Sequence, residues 1–98
     1  MEIEHIQEEG KGRFVVIVNG VEAGYLKYTV LSNGTYKADG TLVYDAYRDQ
    51  KLGTPLFTAF INYVKEHAIK VFPTCPFVVK MFAKHPEYND LLDLDYKN

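Results

Sequence analysis

Two turn signals early in the chain do most to limit what it can fold into. Asn19-Gly20 follows the β-forming run Phe14-Val15-Val16-Ile17-Val18. Asn-Gly is the strongest short hairpin signal, because both central residues of a type I′ turn need positive φ. Ser32-Asn33-Gly34-Thr35 supplies a second turn. Between them, Val21 to Leu31 alternates Ala23, Tyr25, Lys27 and Thr29 with Gly24, Leu26, Tyr28 and Val30. Beyond them, Tyr36 to Val43 alternates Tyr36, Ala38, Gly40 and Leu42 with Lys37, Asp39, Thr41 and Val43. Successive residues of a strand face opposite ways, so the first half reads as an antiparallel meander. Residues 2–9, with Ile3 and Ile6 among four glutamates, read as an edge strand whose charge discourages association, and Gly10-Lys11-Gly12 as the turn after it. Gly40 inside a strand marks a bulge or a close approach, with a packing need the simplest cause.

The second half changes period. Leu56, Phe57, Phe60, Ile61, Val64 and Ala68 form one stripe, with Thr58, Asn62, Lys65 and Glu66 opposite. That is a helix packed on the sheet. Thr54-Pro55 predicts its start, as N-cap and first helical residue, with a start one turn earlier also allowed. Ile69 to Pro73 follows as a short strand, and a second helix begins near Pro76, capped by Thr74 or Cys75 and carrying Phe77, Val78, Met81 and Phe82. His85-Pro86-Glu87-Tyr88 ends it, Asn89 to Leu92 allows one more turn, and the polar residues 93–98 are expected to fray. The order ββββ–α–β–α defines an α+β domain spanning residues 1–98.

Composition narrows the function. At 98 residues there is material for one two-layer core. A net charge of −2 without a basic run speaks against nucleic acid as the main partner. No apolar run approaches the length of a membrane span, and Met1-Glu2-Ile3-Glu4 has the wrong sign for a secretory leader. The lone Cys75 and three scattered histidines make neither a disulfide nor a metal pattern. A cytoplasmic protein, monomeric or weakly dimeric, is the expectation.

The junction Tyr47-Arg48-Asp49-Gln50-Lys51-Leu52-Gly53-Thr54-Pro55-Leu56 carries the functional signal. A strand-to-helix turn offers amides without helical partners and the positive end of a helix dipole, which together suit a phosphate. Arg48 and Lys51 add positive charge. The plain alternative is a solvated βα junction.

Arg turn, amphipathic helix, strand, Pro73-Thr74-Cys75-Pro76-Phe77-Val78 and His85-Pro86-Glu87-Tyr88, in this order, resemble the GNAT superfamily of acetyl-CoA-dependent N-acetyltransferases. More narrowly, they are similar to its short YjdJ-type branch. The resemblance implies a minimal acyl-CoA N-acyltransferase fold in which two neighbouring strands splay and the pantetheine arm of acetyl-CoA lies between them. It implies a pyrophosphate turn at Arg48, Asp49, Gln50, Lys51, Leu52 and Gly53, followed by Thr54, with Thr41, Leu42 and Val43 along the splayed strand. The family turn runs Arg-Gly-x-Gly-x-Ala or Gly, so Asp49 and Lys51 replace both internal glycines. The branch's His-Thr-x-Val segment is here Gly40-Thr41-Leu42-Val43, without the histidine.

By the same resemblance, the amides of Leu42 and Val43 polarise the thioester carbonyl. Cys75 lies near the coenzyme sulfur as acetyl acceptor or proton donor, unless it merely lines the cleft. His85 reads as a helix-end residue and Tyr88 as packing. Asp39, Asp45 and Glu87 are candidate bases by type alone. Three functions compete: an N-acetyltransferase acting on a small-molecule or protein amine, a non-catalytic acyl-CoA-binding module, and a degenerate GNAT fold that binds protein through Tyr44, Tyr47 and Asp49.

Overall fold

The computed structural model describes residues 1–93. Strands β1 (Glu2–Glu8), β2 (Lys11–Val18), β3 (Val21–Val30) and β4 (Tyr36–Val43) form the antiparallel meander, and a 3-10 segment covers Asp45–Gln50. Helix α1 (Gly53–Glu66), strand β5 (Val71–Pro73), helix α2 (Pro76–Lys84) and a second 3-10 segment (Pro86–Leu91) follow. The sheet runs β1-β2-β3-β4-β5, with only β5 parallel to its neighbour. This is the expected α+β architecture. Among the described residues, no helix is long and apolar enough to cross a membrane.

The first hairpin turns on Asn19 and Gly20 at φ 51° and 79°, the pair of positive values a type I′ turn requires. The edge strand is present, and its return begins at Lys11, so the turn sits one residue earlier than expected. Two bulges bend the sheet. Ala23 has no partner on β2, and Asp39 has none on β3, since Lys27 pairs Gly40 while Tyr28 pairs Ala38. An extra residue of this kind sharpens the twist and re-aims the strand. Gly40 is not forced by packing: a Cβ there would meet only Lys27 Cε, at an ordinary 3.4 Å.

Both helices cover one face. Val16, Leu26, Tyr28 and Ala38 of the sheet share a core with Leu56, Phe57, Phe60 and Val64 of α1 and Val78 and Phe82 of α2. Burying each of these large side chains contributes about 1.5–3 kcal/mol. Phe57 meets Phe82 edge-on at 5.6 Å, tying the two helices together. Cross-strand register places Arg13, Lys27, Thr29 and Lys37 on the opposite, outer face.

Helix α1 departs from expectation at both ends. Leu52, not Thr54, is its N-cap residue, because the Leu52 side chain is buried and draws the start inward. At the other end Ala68 lies outside the helix at φ 55°. Ile69 N–H donates to Val64 O and Ala68 N–H to Lys65 O, the double bond pattern of a Schellman cap. The C-terminal stretch is also better held than expected. Leu92 bridges Val71, Asp93 N–H donates to Val71 O, and Thr35 Oγ1 donates to the Asp93 carboxylate at 2.5 Å. The fraying expected from residue 94 onward lies outside the described residues.

Candidate active site

The central feature is a fork between β4 and β5. The two strands pair only as Tyr36–Val71, Lys37–Phe72 and Ala38–Pro73. At the crotch, Ala38 O accepts three hydrogen bonds: from Thr74 N–H at 3.1 Å, Cys75 N–H at 3.0 Å and Thr74 Oγ1 at 2.8 Å. Proline cannot continue a ladder, so β5 ends at Pro73 and the chain turns into α2. On the other side the Asp39 bulge swings β4 away. The second half of β4 therefore runs beyond its last pairing with β5.

Backbone alternation decides which amides face the fork. Tyr44 N–H donates to Ala23 O, within the register that pairs Leu42 with Tyr25 and Gly40 with Lys27. Hydrogen-bonded and non-bonded pairs alternate along an antiparallel ladder. Leu42 N–H is therefore turned toward β3, while the amides of Thr41 and Val43 point into the fork.

A groove of about 350 Å³ opens from there, lined by Thr41, Leu42, Val43, Arg48, Lys51, Leu52, Gly53 and Phe77. The structure thus brings together seven of the residues singled out in the sequence, while Asp49, Gln50 and Thr54 fall outside the lining. Phe77 went unnoticed there, absorbed into the apolar stripe of α2. Its ring presses on Gly53, and a Cβ on that glycine would stand 2.8 Å from Phe77 Cζ. The glycine lets the start of α1 approach α2 this closely.

The turn that shapes the groove is irregular. After the 3-10 segment Lys51 adopts φ 53°, the left-handed region that glycine enters most easily. Leu52 then anchors the turn in the core, and the amides of Gly53 and Thr54 lie in the unpaired first turn of α1. Arg48 is exposed, and its Nε lies 2.9 Å from the Asp45 carboxylate.

Cys75 is buried beside the fork, where its thiol donates to Thr41 Oγ1 at 3.5 Å. The candidate bases separate. Asp45 holds Arg48 and is 89% exposed. Glu87 lies beyond α2, where its own backbone N–H and then His85 keep its carboxyl below the usual range. Only Asp39 stands at the fork, accepting from Thr29 Oγ1 at 2.5 Å. His85 is the C-cap of α2 and lies over Phe57, and Tyr88 packs against both, so these two have structural places.

A forked strand pair, a cationic groove at a helix N-terminus and free strand amides facing one gap define the acyl-CoA N-acyltransferase architecture. The profile of the GCN5-related N-acetyl-transferase family matches residues 13–91, and the chain belongs to that family. It is similar to the NMR solution structure of a GCN5-like protein from Staphylococcus aureus: 26% identity, TM-score 0.69, over 94% of this chain and 87% of that one. The fold is also that of a ribosomal-protein-alanine N-acetyltransferase from Brucella melitensis biovar Abortus 2308: 17% identity, TM-score 0.61, over 94% of this chain and 71% of that one. A search among curated proteins found no match.

Proposed function

We propose that the protein is an acetyl-CoA-dependent N-acetyltransferase of the short YjdJ-type branch, acting in the cytoplasm, where a lone thiol stays reduced. The observation that carries this reading is the fork at Ala38, which leaves the Thr41 and Val43 amides facing a groove that ends at the start of α1. The donor set suits the coenzyme. Arg48 and Lys51 match the charge of a pyrophosphate, and the Gly53 and Thr54 amides add helix-terminal donors. Leu52, Val43 and Phe77 give the apolar walls that a pantetheine arm prefers.

Acetyl-CoA, when bound, supplies an acetyl group activated as a thioester. The Thr41 and Val43 amides are placed to hydrogen-bond the carbonyl oxygen, where negative charge grows as the amine adds. With an amine in place, Cys75, whose S–H is held by Thr41, would give its own proton to the leaving sulfur as the carbon–nitrogen bond replaces the carbon–sulfur bond, and would take up the proton that the nitrogen loses. Supporting the reading are the family membership and the position of Cys75 at the fork. Free thiol released on mixing the protein with acetyl-CoA and a panel of primary amines tests it; no release with any amine would leave a coenzyme-binding module. The alternative of a protein-binding relic has less support, because Arg48 and Lys51 still line the groove although the turn lacks its glycines.

A further inference from the structure

We infer that the protein acetylates itself: the Nζ of Lys27 takes the acetyl group from acetyl-CoA bound in the same chain, which makes Lys27 a modification site. The inference rests on the acetyltransferase reading above and names an acceptor for it. Register sets Lys27 of β3 directly opposite Gly40 of β4, so the lysine side chain and the one that glycine lacks share the outer face of the sheet. Only the lysine crosses the space over Gly40: a Cβ built there would meet Lys27 Cε at 3.4 Å and no other heavy atom within 4 Å. The peptide bond that joins Gly40 to Thr41 carries one of the two amides facing the fork. The Lys27 stem therefore lies across the strand segment that would hold the thioester carbonyl, with the ammonium one bond beyond Cε. Leu52 and Phe77 wall the coenzyme groove on the helix side. The outer face is the side left open to a nucleophile.

The amine is also uncommitted. Asp39, beside Gly40 at the bulge, accepts from Thr29 Oγ1 at 2.5 Å and lies 3.5 Å from Lys37 Nζ, so its carboxylate is turned away from Lys27 and already paired. Lys27 is exposed and enters none of the ion pairs among the described residues. Other lysines stand elsewhere. Lys37 pairs with Phe72 of β5 before the strands part, and Lys11 lies on β2 opposite Thr29. Lys51 lines the groove with Arg48, at the end that suits a phosphate. In the transfer, the Lys27 ammonium gives one proton to water, its nitrogen adds to the carbonyl carbon, and the carbon–sulfur bond breaks. The second proton that the nitrogen loses leaves on the sulfur, as the free thiol of coenzyme A. A neutral acetamide remains on Lys27, so each chain turns over once in this way and no further co-reactant is needed.

Acetyl-CoA is added to the purified protein with no other amine, and each lysine is followed over time by peptide mass mapping. Lys27 should be acetylated at least about ten-fold faster than Lys65 and Lys80, exposed lysines on the two helices, because its amine is held beside the thioester. The rate per chain should not depend on protein concentration, and the preference should vanish in protein unfolded by urea. Lys27→Arg keeps the charge and removes the nucleophile, so the one equivalent of free thiol released per chain should be lost. Gly40→Val should crowd the lysine stem off the strand and bring Lys27 down to the rate of Lys65, while keeping the rise in melting temperature that coenzyme A produces. Lys27 modified no faster than Lys65, a preference that survives unfolding or Gly40→Val, or a rate that climbs with protein concentration would each overturn the assignment. If coenzyme A leaves the melting temperature unchanged, the acetyltransferase reading fails and the inference with it. A rise in melting temperature with Lys27 left unmodified refutes the self-acetylation alone.

Discussion

The Cys75 thiol donates to the Thr41 hydroxyl at 3.5 Å across the mouth of the β4–β5 fork. That contact places the molecule's one sulfhydryl beside the strand amides that face the fork. If the thiol supplies the leaving-group proton, Cys75→Ala should lower kcat about 10²-fold, the low end for a positioned acid, with the KM for acetyl-CoA nearly unchanged. The same change should remove any acetyl-cysteine adduct seen by intact-mass measurement. Undiminished turnover would reduce Cys75 to a wall of the cleft.

Lys51 sits in the turn before α1 at φ 53°. A side chain in the left-handed region costs about 1–2 kcal/mol, part of which glycine returns as unfolded-state entropy. Lys51→Gly should therefore raise the melting temperature by a few degrees, while the β-branched Lys51→Val should lower it. A lower melting temperature for the glycine variant would show that the Lys51 side chain holds the turn by contacts that outweigh the strain.

How legible this was in the sequence follows from how local each feature is. Asn19-Gly20 and the Leu56–Val64 stripe depend on neighbours a few residues away, and both formed as read. The start of α1 depended on the burial of Leu52 against distant strands, which no capping signal at Thr54 encodes. Ala68 continued the helical period and yet lies in the left-handed region just past the C-cap His67, where Ile69 N–H reaches back to Val64 O. The fork was reached only through family resemblance, since the hydrogen bonds that Thr74 and Cys75 donate to Ala38 O join residues far apart in the chain. Gly40 hinted at a bulge, but the bulged residue is its neighbour Asp39. Phe77 and the aromatic cluster around His5 gave no local sign, because their roles come from what folds against them.

Gly53 and Phe77 are coupled by contact. Gly53→Ala puts a Cβ 2.8 Å from the ring, a clash expected to cost about 1–3 kcal/mol. Phe77→Leu removes the ring, so the double variant should recover most of that loss in chemical denaturation. Strictly additive effects would mean that the ring swings clear unaided.

His5 makes stability depend on pH. Its ring stacks on Phe14 at 4.0 Å, meets Tyr63 edge-on at 4.3 Å, and shares a 2.6 Å hydrogen bond with Tyr28, with the Gln7 amide at 3.4 Å. Burial, and secondarily the nearby His67, hold its pKa below the ordinary 6.5. The unfolded chain then binds the proton more readily, so the stability is fully present above pH 6.5 and is lost as pH falls from there through the folded value. His5→Phe should flatten that part of the profile of melting temperature against pH. Parallel profiles for the two proteins would remove His5 as the cause.

The groove from Thr41 to Gly53 is most directly tested by melting the protein with acetyl-CoA. A ligand at a hundred times its dissociation constant stabilises by about 2.7 kcal/mol, which raises the melting temperature of a domain this size by several degrees. Acetyl-CoA should produce that rise, and Arg48→Glu should diminish it without lowering the melting temperature of the free protein. An unchanged melting temperature at saturating coenzyme would contradict the account, because a fork built as described would then hold no coenzyme.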